Sequence, residues 1–191
     1  MEGDPPQGDQ ISLRASRAEE IFAAIPQATE DIAGRPLAGE AAVDFMKRLH
    51  GGPTPEDALT FAAYAFRPRY AVWWAYECLM ARPEFLTTDD RDMLAVAVQW
   101  VAAQDEPSRN GAMTRALSAE RGPGTWVALG AGWSGGSMVS PDHAPVPVQD
   151  FFVGRAVSTG VLMFLSRVVQ EERRRWLAQF VFMAQSLAAS G

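Results

Sequence analysis

Ser134 stands in the one segment of this chain that fits a nucleophile motif. Gly132-Trp133-Ser134-Gly135-Gly136 matches G-x-S-x-G, the sharp strand-to-helix turn that exposes a serine hydroxyl for acyl transfer. Such a hydrolase also needs an acid and a histidine downstream, and His143 is the only later histidine. The residues that follow lead into a stretch holding Pro141, Pro145 and Pro147, which reads as a partly extended loop rather than the required helix. No set of alternating strands supplies a sheet. Ser134 as a catalytic nucleophile therefore lacks its setting, and no catalytic residue is assigned. The same residues, Ser134-Gly135-Gly136-Ser137, admit two other readings. Consecutive backbone N–H groups there could converge on an anion. More simply, a helix ends and a turn follows, in which glycine accepts positive φ.

Other chemistry-bearing residues have ordinary explanations. Glu77 is the only charged residue from Tyr70 to Ala81. If buried it needs a partner, and Arg67, Arg69 and Arg109 are the candidates. With Trp73 and Trp74 it also marks a candidate ligand pocket between helices. Asp89, Asp90 and Asp92 follow no calcium-loop spacing, and a helix start at Thr87 accounts for two of them. His50 precedes Gly51-Gly52, where a helix C-terminus favours a cation. Cys78 is the single cysteine. It can form no internal disulfide, and its apolar neighbours fit a buried structural thiol. No metal site and no cofactor is expected.

Composition narrows the partners. The 191 residues are 48% hydrophobic and 21% charged, which suits a globular chain with a substantial core. The net charge of −6 argues against nucleic acid, which needs a basic face. The Arg173-Arg174-Arg175 run follows Glu171-Glu172 and reads as a mixed helix surface. The most apolar stretch, 151–169, carries Arg155 and Arg167 and has helical periodicity, so membrane insertion is not expected. The opening Met-Glu-Gly-Asp-Pro-Pro lacks the order of a secretory signal. The chain reads as cytoplasmic.

The elements that must position these residues are helices. Residues 1–11 read as a flexible tail and 12–191 as one domain. A helix is expected from Ser16 to Ile25 and another from Leu37 to Leu49. Thr54 and Pro55 start a third, which breaks at Pro68. Arg69 to Arg82, apolar on every side, should be the central helix. Thr87 starts the next, and Pro107 or Ser108 the one after, ended by Gly122-Pro123-Gly124. Trp126 to Ala131 reads as a short helix. Trp126 and Trp133, seven apart, share a face. Asp150 caps a helix with a stripe from Val153 to Val168, and a break near Gln170 precedes the last. The fold class is all-α, an irregular single-domain bundle of eight to nine helices.

Two segments carry a resemblance. Arg69-Tyr70-Ala71-Val72-Trp73-Trp74-Ala75 is followed by Trp100, Asn110-Gly111-Ala112-Met113 and Trp133-Ser134-Gly135-Gly136-Ser137. This order resembles an uncharacterised bacterial family, a domain of unknown function, with Arg-x-Ala-Val-Trp-Trp-Ala and Trp-Ser-Gly-Gly-Ser motifs. The likeness spans residues 55 to the C-terminus, and Tyr70 stands where the family carries an acidic residue. It implies a bacterial cytosolic protein, points to type VI secretion gene clusters and supplies no catalytic residue. Six tryptophans exceed what a core of this size needs, and exposed ones would anchor a partner. The expectation is a helical protein–protein interaction module, an accessory or adaptor. Trp133, Ser134, Gly135, Gly136 and Ser137 are its candidate binding surface.

Overall fold

The computed structural model describes residues 11–139 and 144–190. The expected tail lies outside them except for Ile11, as do Pro141 and His143. The described residues form ten α-helices: α1 (Ala18–Ala24), α2 (Ala28–Asp31), α3 (Ala42–His50), α4 (Asp57–Ala65), α5 (Pro68–Met80), α6 (Thr88–Ala103), α7 (Glu106–Ser118), α8 (Pro123–Gly132), α9 (Phe151–Arg167) and α10 (Gln170–Ala189). Strand-type pairing is limited, among the described residues, to three isolated bridges. The fold is all-α. The helix beyond the expected eight to nine is α2, a single turn in a stretch with little apolar pattern.

Several boundaries differ from expectation for local reasons. The expected break falls just before Pro68, since α4 ends at Ala65, and Pro68 itself opens α5, where its missing N–H is no loss. Pro123 likewise opens α8, so the glycine-flanked proline starts one helix rather than ending another. At α4 the helix begins after Pro55, because the Thr54 and Pro55 carbonyls accept from Asp57 and Ala58 in a lead-in turn. Asp150 sits at the start of α9 but makes no side-chain cap bond. The break between α9 and α10 falls where expected.

One apolar cluster runs from Leu13 to Ala184. Within it α4 buries every residue from Ala58 to Ala65. On α5, Trp74 is buried and its indole N–H donates to the Phe180 carbonyl of α10 at 3.1 Å. The helix most enclosed is nevertheless α8, not α5. Every residue of α8 except Trp126 is buried, and it packs against α5, α6, α7 and α9. Small residues make this possible. A Cβ on Gly124 would lie 2.2 Å from the Asp90 carbonyl of α6, and one on Gly132 would lie 2.7 Å from Cα of Met113 in α7.

Asp90 locks these helices together. Its side chain closes a capping box with Thr87, accepting from the Thr87 N–H at 3.1 Å and hydroxyl at 2.9 Å. Its other oxygen accepts from the Gly124 N–H at 3.1 Å, satisfying one of the open donors at the start of α8. Arg167, at the end of α9, completes the set as an ion pair and also donates to the Phe85 carbonyl at 3.1 Å. Asp90 is only 2% exposed. Burial alone would raise its pKa; the bonds from Arg167, Gly124 and Thr87 outweigh that and hold it below the ordinary range.

Replacing Asp90 with alanine leaves Arg167 without its carboxylate and the Gly124 N–H without an acceptor. We expect D90A to lose about 3 kcal/mol in chemical denaturation, the usual cost of breaking a buried pair. Because the folded pKa lies below the unfolded one, this contribution is whole above about pH 3.9. It is lost as pH falls through the folded value, so wild type should lose its advantage over D90A under acid.

Candidate functional site

At the end of α8 the backbone leaves the helix through the expected turn. The Trp133 N–H donates to Leu129 at 2.8 Å and that of Ser134 to Ala131 at 3.2 Å. Gly136 takes φ of 65°, where a Cβ would be strained and would also strike the Arg109 guanidinium at 2.6 Å. The strand-like return is held by Met138 N–H to Val146 at 2.8 Å and Val148 N–H to Gly136 at 3.2 Å. The Ser137 hydroxyl accepts from the Val139 and Val146 N–H groups at 3.2 and 3.1 Å. Helix α8 precedes Ser134 where a nucleophile elbow has a strand. With its N–H committed to Ala131, Ser134 also gives no donor to an anion nest.

Arg109 supports this turn from below. It is 5% exposed and donates to the Gly132 carbonyl at 2.6 Å, placing a cation at the negative end of α8. Glu106 neutralises it at 2.6 Å. The sequence offered Arg109 as one of three candidate partners for Glu77. The structure places it on the Trp133–Ser137 turn instead.

Ser134 opens onto a cleft of about 430 Å³ lined by Arg14, Arg67, Arg69, Tyr70, Trp100 and Gln104. The two tryptophan-rich motifs thus meet in one place. Arg14 and Arg67 sit on paired extended segments, the Arg14 N–H bonding Ala65 at 2.8 Å and the Arg67 N–H bonding Ser12 at 3.0 Å. Arg14 Nε donates to the Phe66 carbonyl at 3.0 Å, and Arg69 Nε to the Val101 carbonyl at 3.0 Å. Gln104, its amide oxygen turned to Arg69, accepts at 2.7 Å from Nη1. Among the described residues Gln104 is the one non-glycine residue at positive φ, 51°. None of the three arginines lies within ion-pair distance of a carboxylate among the described residues. The pKa of Arg14 is lowered, first by burial and further by the Arg67 charge, while Asp150 opposes the change through space.

Trp73, Trp74 and Glu77 also come together, around a groove of about 290 Å³ completed by Phe182, Met183 and Leu187 of α10. Phe182 is 61% exposed. Its part was hidden in the sequence, because it lies off the apolar stripe of its own helix. Arg67 and Arg69, expected at Glu77, line the other cleft. Trp126 and Trp133 share a face as expected and line a third cavity with Phe152. No tryptophan stands fully exposed: Trp73, Trp74 and Trp100 are buried, and Trp126, Trp133 and Trp176 pack partly against the core.

The remaining candidates have structural places. Cys78 is fully buried, and burial pushes its thiol pKa well up, which suppresses the reactive thiolate. Asp90 belongs to the helix lock, while Asp89 and Asp92 face solvent. Among the described residues no group of three His, Cys, Asp or Glu could hold a metal, and no helix is long and apolar enough to cross a membrane.

Fold and site together define an all-α scaffold with open clefts between its helices. The chain belongs to a family of unknown function, DUF6931, whose match spans residues 45–188. That span holds both tryptophan-rich motifs and all of the arginine cleft except Arg14. No curated protein and no solved structure matches the chain.

Removing the support under the turn should loosen it. We expect R109A to lose about 2 kcal/mol, since it strands the Gly132 carbonyl in a buried place. Hydrogen exchange of the Met138 and Val148 amides should speed up more than that of amides in α4.

Proposed function

We propose that this protein is a non-enzymatic binding module that takes an acidic segment of a protein partner in the Arg14–Arg67–Arg69 cleft. Ser134, on the Trp133–Ser137 turn, forms part of its wall. One observation carries this reading: three guanidinium groups face one cleft with no carboxylate at ion-pair distance among the described residues, in a chain of net charge −6. Gathering like charges is unfavourable, and an incoming anion relieves it. Guanidinium forks suit carboxylates, giving directed charge-assisted bonds. Such charge also steers encounter and selects against basic partners.

The resemblance carried by the two motifs suggests a place as accessory or adaptor in a bacterial multiprotein system, with type VI secretion as its setting. The cytoplasm is the matching compartment. The groove at Trp73, Trp74 and Glu77 supports a second reading, a small-ligand site, because exposed Phe182 leaves apolar surface open there. A serine hydrolase using Ser134 has no comparable support.

A fluorescent Asp/Glu-rich peptide tests the main reading by anisotropy. It should bind more weakly as salt rises, and R67E and R69E should each weaken it about tenfold or more, the scale of a lost charged contact. A Lys-rich peptide should not bind. Equal binding of both peptides, or indifference to both charge reversals in folded protein, would overturn the reading.

A further inference from the structure

The three guanidinium groups of the arginine cleft are held in one manner. Arg14 Nε donates to the Phe66 carbonyl at 3.0 Å, Arg69 Nε to the Val101 carbonyl at 3.0 Å and Arg67 Nε to the Leu13 carbonyl at 3.5 Å. The Gln104 amide oxygen takes Nη1 of Arg69. All of these acceptors are neutral, so each group is tied to the fold without its charge being cancelled. Among the described residues, both terminal nitrogens of Arg14, both of Arg67 and Nη2 of Arg69 bond no protein atom. Each can still donate in a planar fork.

Charge and oxygen count decide what meets this surplus. No described carboxylate reaches ion-pair distance of the three arginines, and Asp150 acts on Arg14 only through space. One partner carboxylate brings a single negative charge on two oxygens, which leaves the cleft cationic. A phosphate monoester brings nearly two charges on three terminal oxygens, and guanidinium forks match those oxygens in geometry. The lowered pKa of Arg14, due first to burial and then to the Arg67 charge, fits a cleft short of negative charge. The rest of the wall suits a side chain carrying such a group. Tyr70 and Trp100 give it apolar surface, and Ser134 adds a hydroxyl. A volume of about 430 Å³ is that of a small-ligand site, room for one large anionic group rather than a length of chain.

We propose that the Arg14–Arg67–Arg69 cleft receives a phosphorylated side chain of the partner, its phosphate monoester held between the three guanidinium groups. This inference rests on the reading of the cleft as the seat of an acidic protein segment and names the group that sits there.

Four fluorescent peptides of one sequence form the test, differing only at a central pair: Ser-Gly, phosphoserine-Gly, Asp-Gly and Asp-Asp. Anisotropy titrations use the full chain. The phosphoserine peptide should bind about tenfold or more tighter than the Asp-Asp peptide, although the two carry similar charge, and the Ser-Gly peptide should bind weakest. Equal affinity for the phosphoserine and Asp-Asp peptides would overturn the phosphate inference and leave the acidic-segment reading standing. No binding by any of the four would overturn both. Inorganic phosphate should displace the phosphopeptide only in large excess; displacement at the peptide's own concentration would assign the cleft to free phosphate instead and overturn the proposal. R67K and R69K keep the charge but remove the fork, so each should shrink the phosphoserine preference. A preference unchanged in both would place the binding elsewhere and overturn the proposal. If circular dichroism shows R69K unfolded, R67K, at an exposed position, decides alone.

Discussion

A carboxylate taken out of water must be met on every side, and in this fold that requirement sets the arrangement of three helices. The Asp90 carboxylate is reached by Thr87 at the cap of its own helix, by the leading N–H of α8 and by the guanidinium at the end of α9. None of these donors can withdraw without leaving charge buried against apolar neighbours. The lock also explains why Gly124 has no side chain. The α8 backbone approaches the Asp90 carbonyl too closely for a Cβ. Polar fixation and close packing therefore act at the same spot, and α8 enters the core at one register.

From that anchor α8 runs through the middle of the bundle and ends at Trp133. Its direction decides what the following turn can reach. Arg109 holds the last carbonyl of α8, Ser134 comes out beside Arg69 and Tyr70, and Trp133 comes out beside Phe152. Two recesses are separated by one peptide unit because a helix exit turns successive side chains to different sides. The arginine cleft and the aromatic recess are thus products of the same placement.

Much of this was legible in the chain. Apolar spacing together with caps and prolines identified every helix but α2, and Thr87 with Asp90 marked a cap that the structure contains. Trp73, Trp74 and Glu77 were grouped, and they do border one groove. What escaped was tertiary. Spacing shows which residues share a face but not which helix will come to cover it. The place of Arg109 under the α8 turn was therefore not foreseen, and Arg14, in an extended segment without periodicity, went unnoticed. The central role of α8 was hidden because Gly and Ala give a weak apolar signal. Their importance lies in what they allow neighbours to do. Pro68 and Pro123 each lie beyond a helix end, as expected, but the sequence did not show that each also opens the next helix.

Gln104 adds a last point. It holds a left-handed backbone conformation that a residue with a Cβ adopts only at a disadvantage of about 1 kcal/mol or more, and it reaches back to the Arg69 guanidinium from there. With Val101 gripping the same group, Arg69 gives up its rotational freedom when the chain folds. Long flexible side chains normally surrender that freedom only on meeting a guest, and affinity suffers for it. Here the ordering is complete beforehand, and the guanidinium keeps one fixed aim.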